Sequence, residues 1–197
     1  KIYFLHLINS FNILLFVIII NSNDLIVSII DVQEKLINSI FNKTLVIKNI
    51  VKIIQICNNL SIPIILSEQY PKGLGKTILE IRRELKKFKV VEKTTFSCFS
   101  EKKYKTEILN NSKKQIILCG IEAHICVFQT VLELKKEGYN VIVVADSVGS
   151  RKKSDYELAL NYFSNNKINL LSLEMLVFSL LKDSKHRKFK ELSKLIK

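Results

Sequence analysis

Short runs of apolar, largely β-branched residues recur along the chain, and each is followed by a longer stretch with apolar residues at helical spacing. Leu25–Ile30 (LIVSII), Ile62–Leu66 (IPIIL), Phe88–Val91, Gln115–Cys119 (QIILC), Val141–Ala145 (VIVVA) and Ile168–Leu171 have the length of strands. They show no apolar/polar alternation, which is the mark of strands buried on both faces. Between them, Thr44–Leu60 carries Leu45, Ile47, Ile50, Val51 and Ile54 along one helical face. Helices are also predicted over Thr77–Lys87, Lys102–Leu109, Ile125–Glu137 (stopped by Gly138) and Ser154–Phe163 (with Ser154 as N-cap). Leu173–Leu181 and Phe189–Ile196 read as closing helices. Strand and helix in alternation, with apolar strands, predict an α/β domain: a three-layer α/β/α, doubly wound sheet of about six mostly parallel strands.

A chain of 197 residues suits one such domain with a single sizeable core. The hydrophobic fraction of 48%, spread over the length, excludes a disordered chain. The domain is read as residues 24–197. Residues 1–23 form an apolar N-terminal extension that the sequence leaves open: the run Phe11–Ile20 is too short to span a membrane and no small-residue cleavage site follows it. It reads equally as a signal-peptide core, an extra strand or a packed arm. No transmembrane anchor is favoured, and the expected compartment is the cytoplasm, with mitochondrion or another organelle left open.

The net charge is +13, from 31 basic and 18 acidic residues. A basic surface can bind nucleic acid. Here the lysines are dispersed over a chain rich in Ile, Asn and Lys, which points first to composition bias. Nucleic acid is therefore a second choice of partner after a small-molecule substrate. The strongly apolar helix faces predict a homo-oligomer, at least a dimer.

Four cysteines, Cys57, Cys98, Cys119 and Cys126, include no Cys-x-x-Cys pair, and only three histidines are present. This argues against a zinc site; no metal and no cofactor are expected. Cys57 and Cys119 lie in apolar runs and read as reduced core thiols. In open α/β sheets the site lies outside the carboxyl ends of the strands. Asp31 ends the first strand, Lys93 follows the third, and Cys126 opens the helix after the fourth. A thiol at a helix start is expected to have a lowered pKa. With Asp31 as base and Lys93 as charge partner, Cys126 is the expected nucleophile. Cys98, in the loop after Lys93, is the runner-up. His124 lies two residues from Cys126, a spacing that does not make the two side chains face each other at a helix start, so it is placed behind the site. Gly73-Leu74-Gly75-Lys76 lacks the spacing of a phosphate loop and reads as a turn.

Several segments, in order, resemble the isochorismatase-like cysteine hydrolases, and among them the isochorismatase domain-containing proteins. They are Ile30-Asp31-Val32-Gln33-Glu34-Lys35-Leu36; Ser67-Glu68-Gln69-Tyr70-Pro71-Lys72-Gly73-Leu74-Gly75-Lys76-Thr77; Glu92-Lys93-Thr94-Thr95-Phe96-Ser97; Leu118-Cys119-Gly120-Ile121-Glu122-Ala123-His124-Ile125-Cys126-Val127; and Val144-Ala145-Asp146-Ser147-Val148-Gly149-Ser150-Arg151. The resemblance runs from about Asp24 to the end. It implies that family's fold and an Asp31–Lys93–Cys126 triad. It also implies a cis peptide at Ile121–Glu122 and an oxyanion hole built from the N–H groups of Glu122 and Cys126. Gln33, Tyr70, Phe96, Ala123 and His124 fall where relatives line the substrate pocket. The segment Ser67–Thr77 lacks the Asp and His residues with which nicotinamidases of the superfamily bind metal. A nucleophilic Cys implies attack on a carbonyl carbon, as in hydrolysis of a small amide or related acyl compound. The alternatives are a basic nucleic-acid-binding or ribonuclease-like protein on the same fold, and a non-catalytic oligomeric scaffold.

Overall fold

The computed structural model describes residues 19–196. Residues 1–18, which include most of the apolar run at 11–20, lie outside the described residues. The elements follow as β1 (Leu25–Ile30), α1 (Glu34–Ile37), α2 (Lys43–Leu60), β2 (Ile64–Gln69), α3 (Pro71–Leu74), α4 (Leu79–Arg82), β3 (Lys89–Lys93), α5 (Lys102–Asn111), β4 (Gln115–Ile121), α6 (Phe128–Lys136), β5 (Asn140–Gly149), α7 (Lys153–Asn165), β6 (Asn169–Leu171), α8 (Leu173–Leu181) and α9 (Phe189–Leu195). A single π-helical turn, Ala123–Val127, separates β4 from α6. No described helix is long and apolar enough to cross a membrane.

All six strands are parallel, in the order β3-β2-β1-β4-β5-β6. The expected doubly wound α/β sheet is the one observed. Every residue of β1 is buried. Leu25, Val27 and Ile29 pack with the α2, α8 and α9 layer, whereas Ile26 and Ile30 join the opposite layer with Tyr104 of α5, Val131 of α6 and Phe163 of α7. Burying such an Ile or Leu side chain contributes about 1.5–3 kcal/mol. Ser28, the polar residue within this strand, is satisfied because the Tyr104 hydroxyl donates to its Oγ at 2.8 Å.

Several element boundaries depart from the sequence reading for identifiable reasons. The second strand begins at Ile64 rather than Ile62, because Pro63 has no N–H to give a ladder; only its carbonyl takes part, accepting from Val27 at 3.0 Å. The helix expected over Thr77–Lys87 shrinks to Leu79–Arg82, since the N–H and hydroxyl of Thr77 both donate to Glu68 Oε1 at 2.8 Å. The expected N-cap Ser154 lies inside α7, which starts at Lys153 with Lys152 as its cap. The fifth strand runs past Ala145 to Gly149: Asn49 donates to the carbonyl of Asp146, and Leu173 N–H to its carboxylate, so two polar groups in the strand are satisfied. Gly138 terminates its helix as expected, with φ +82°.

β4 leaves β1 on the side opposite β2, so the winding reverses between β1 and β4 and opens a crevice at their carboxyl ends. The two strands meet there very closely. Gly120 has φ +117°, and a Cβ on it would collide with the carbonyl oxygen of Ile30. Only glycine lets β4 come this near the residue that precedes Asp31.

Candidate active site

Asp31 is the first residue past β1, with φ +52°, an unusual backbone state for a residue other than glycine. It is fully buried. Its N–H donates to the carbonyl of Ser67 at 3.2 Å, which fastens it to the end of β2. Lys93 is the last residue of β3, two strands away from β1. Its side chain crosses the end of β2 and places Nζ 2.7 Å from Asp31 Oδ2, both side chains being fully shielded from solvent. The same ammonium donates to Gln69 Oε1 at 2.6 Å and reaches the carbonyls of Thr95 and Phe96 at 3.1 and 3.2 Å. Burial alone would lower its pKa, but the Asp31 carboxylate overrides this and the net shift is upward. Lys93 is thus a fixed cation that retains its protons.

Cys126 sits in the π-helical turn, 7% exposed, in the same buried cluster as Ile30, Ala123 and Cys98. The expected lowering of its pKa is not what this environment produces. Burial pushes the thiol up first, and the negative charge of Asp31 adds to that; the positive charge of Lys93 pulls the other way without reversing it. The reason lies in the local backbone. The helix that follows begins at Phe128, beyond the cysteine, so the thiol gains little from helix polarity and loses its hydration. At rest the cluster is a thiol beside a carboxylate–ammonium pair.

The other predicted residues divide. The peptide bond Ile121–Glu122 is cis. Glu122 Oε2 accepts from both the N–H and the Nε of Arg151 at 3.0 Å, tying the turn before Cys126 to the loop after β5. Tyr70 and Phe96 stand more than half exposed at the carboxyl ends of β2 and β3. A Cβ on Gly73 would collide with the Tyr70 ring, so this ring lies against a glycine backbone. Gln33 is fully buried, and its whole amide is engaged: Nε2 donates to the carbonyls of Gln69 and Gly75, and Oε1 accepts from Gln69 N–H. It braces the loop that carries Tyr70. Ala123 is also fully buried, in the core. His124 Nδ1 lies 2.9 Å from Ser150 Oγ and Nε2 3.7 Å from Asp155, so it clasps the π-helical turn to α7.

Cys98 is fully buried, and burial raises its pKa to about 11. Cys57 and Cys119 are buried as well, with pKa values pushed up by desolvation. Ser67 and Gln69 escaped the sequence reading. Ser67 Oγ donates to Asp31 Oδ1 at 2.7 Å, and Gln69 holds Lys93. The signal available was position: both are polar and lie at the carboxyl end of a strand next to the crevice. Among the described residues no three His, Cys, Asp or Glu side chains gather as a metal site.

The fold and this crevice define a doubly wound α/β domain whose switch point holds a thiol beside a buried carboxylate–ammonium pair. The model of the Isochorismatase domain matches residues 25–175, and the chain belongs to the isochorismatase family, which makes it a hydrolase at family level. It is 40% identical over 166 residues to isochorismatase domain-containing protein 2 of Danio rerio, covering 84% of this chain and 83% of that one. It is 36% identical over 182 residues to isochorismatase family protein 1A of Dictyostelium discoideum, covering 88% and 86%. Among solved structures it is similar to the MAR1 ribonuclease from Caenorhabditis elegans, with TM-score 0.84, 36% identity, and 90% and 91% of the two chains covered. The YcaC gene product of Escherichia coli, an octameric hydrolase of unknown specificity, shares the fold with TM-score 0.86 at 19% identity, covering 91% of this chain and 90% of that one.

Proposed function

We propose that this chain is a metal-independent cysteine hydrolase acting on the C–N bond of a small amide or related acyl substrate. The observation that carries this reading is the buried Asp31–Lys93 pair acting on the Cys126 thiol at the switch point. In the proposed cycle the Cys126 S–H proton moves to Asp31 as sulfur bonds to the substrate carbonyl carbon. The carbonyl oxygen becomes an oxyanion that the N–H groups of Glu122 and Cys126 receive. The C–N bond then breaks, and Asp31 returns its proton to the leaving nitrogen. Water then adds to the thioester carbon as Asp31 takes its proton, the C–S bond breaks to release the acid, and Asp31 passes the proton back to the Cys126 sulfur. Tyr70, Phe96 and His124 border the substrate, with Gln33 and Ala123 supporting the wall from within.

The test is a screen of small primary amides against the purified chain, with and without a chelator. Turnover is expected to be unchanged by ethylenediaminetetraacetate. Loss with chelator and recovery with zinc would replace the thiol mechanism by a metal-based one.

One observation favours a second reading, RNA hydrolysis. A solved structure 36% identical to this chain is that of a ribonuclease, and the net charge here is +13. RNA cleavage that falls with rising salt and persists in Cys126→Ala would select it.

We also propose a homo-oligomer. Leu158, Tyr162 and Leu132 expose apolar surface on α6 and α7, and Leu158 is 70% exposed. Sedimentation at micromolar protein is expected to give a species at least twice 22.8 kDa, and Leu158→Lys is expected to weaken it. A single 22.8 kDa species in the wild type would remove this proposal.

A further inference from the structure

The two carboxylate oxygens of Asp31 are engaged differently. Oδ2 faces the Lys93 ammonium, and Oδ1 accepts the Ser67 hydroxyl at 2.7 Å. A hydroxyl has one proton, so Ser67 can act here only if its O–H stays directed at Asp31 Oδ1. The structure shows what keeps it there. The Cys98 thiol donates to Ser67 Oγ at 3.3 Å and so occupies the acceptor side of the hydroxyl. Cys98 is itself held: its N–H donates to Thr130 Oγ1 at 2.9 Å, and the Thr130 hydroxyl donates to the carbonyl of Cys126 at 2.6 Å. Ser67, Cys98 and Thr130 are all buried, so none of these protons has water as an alternative partner. The chain therefore starts at the main chain of the proposed nucleophile and ends on the proposed base.

We propose that Ser67 and Cys98 are positioning residues for Asp31: their hydrogen-bond chain keeps its carboxylate ionised, so that the Cys126 proton stays on sulfur until a substrate arrives. This rests on the thiol mechanism proposed above. A hydroxyl donates more strongly to a carboxylate than to a carboxylic acid, so it opposes proton transfer from sulfur to Asp31 in the resting site. Engagement of a carbonyl, and stabilisation of its oxyanion, then provides the drive for transfer. The buried thiol of Cys98, which is sealed from substrate, acquires a role as the group that fixes the Ser67 hydroxyl. Such a site resists incidental alkylation.

The probe is iodoacetamide, with the rate of Cys126 alkylation followed against pH by intact mass and peptide mapping. In the wild type the thiol proton stays on sulfur over the middle of the pH range, so alkylation there is expected to be slow and to rise toward alkaline pH. Ser67→Ala is expected to raise the neutral-pH rate about tenfold, because Asp31 Oδ1 loses its donor and takes the Cys126 proton more readily. Cys98→Ala is expected to raise that rate by less, about threefold, and Cys98→Ser, which restores a donor, is expected to return the profile toward wild type. Simple loosening of the site would give no rescue by serine, and thermal melts of each variant show whether it is folded. A wild-type profile in both Ser67→Ala and Cys98→Ala, with the profile changed in Asp31→Asn, overturns this inference and leaves the thiol mechanism standing. An unchanged profile in Asp31→Asn overturns both.

Discussion

Cys126→Ala is expected to abolish amide turnover, with kcat/KM falling by about 10⁴-fold or more, the scale seen when a nucleophile acting as part of a unit is removed. Cys57→Ala and Cys119→Ala are expected to leave turnover intact. Both thiols are fully enclosed by apolar side chains and lie away from the crevice, so their loss is felt in packing, at about 1 kcal/mol of stability each. Cys98→Ala is expected to retain turnover within about tenfold, because the thiol supports Asp31 and does not touch substrate. Assays of the four variants against one amide that the wild type hydrolyses, alongside thermal melts, check this. Retained turnover in Cys126→Ala together with loss in Cys98→Ala would move the nucleophile to the runner-up.

Asp31→Asn and Lys93→Met are both expected to stop turnover nearly completely, yet to change the thiol in opposite directions. Burial and the charge of Asp31 raise the Cys126 pKa, while Lys93 lowers it. Removing the carboxylate therefore brings the pKa down. The alkaline rise of alkylation then has its midpoint below that of wild type. Removing the ammonium takes away the positive charge that favours a thiolate, so the alkaline rise moves up and alkylation at neutral pH slows. Stability separates the two as well. Lys93→Met strands a carboxylate that has no exposure to water, at a cost of about 3–5 kcal/mol, whereas Asp31→Asn leaves the lysine with three uncharged acceptors. The sign follows from linkage. The Lys93 pKa is shifted upward by the Asp31 carboxylate, so its contribution is present at neutral pH and lost as pH rises past the ordinary lysine range; Lys93→Met is therefore expected to flatten the loss of stability toward high pH. Urea unfolding at several pH values reads this out. Superimposable alkylation profiles in wild type and both variants would show that neither residue is coupled to the thiol.

Much of this architecture was legible in the chain itself. A run such as Leu25–Ile30 can be satisfied only when both of its faces are covered, and six such runs separated by amphipathic stretches leave a parallel sheet between two helical layers as the economical solution. Reactive residues placed at strand ends then point to one crevice, which is why Asp31, Lys93 and Cys126 could be singled out together. Three matters were settled only by the tertiary structure. Strand order decided that β3 lies two strands from β1, so that Lys93 must cross the end of β2, and this brought Ser67 and Gln69 into the site. Enclosure decided the state of the thiol: helix polarity is a local property that sequence position suggests, but desolvation depends on what every other segment packs above Cys126, and here desolvation is the larger effect. Side-chain satisfaction decided roles that position alone could not, as when Gln33, expected at the pocket, engages its entire amide to hold the loop carrying Tyr70. Periodicity records which residues must leave water; which polar groups they leave it with is a property of the packed chain.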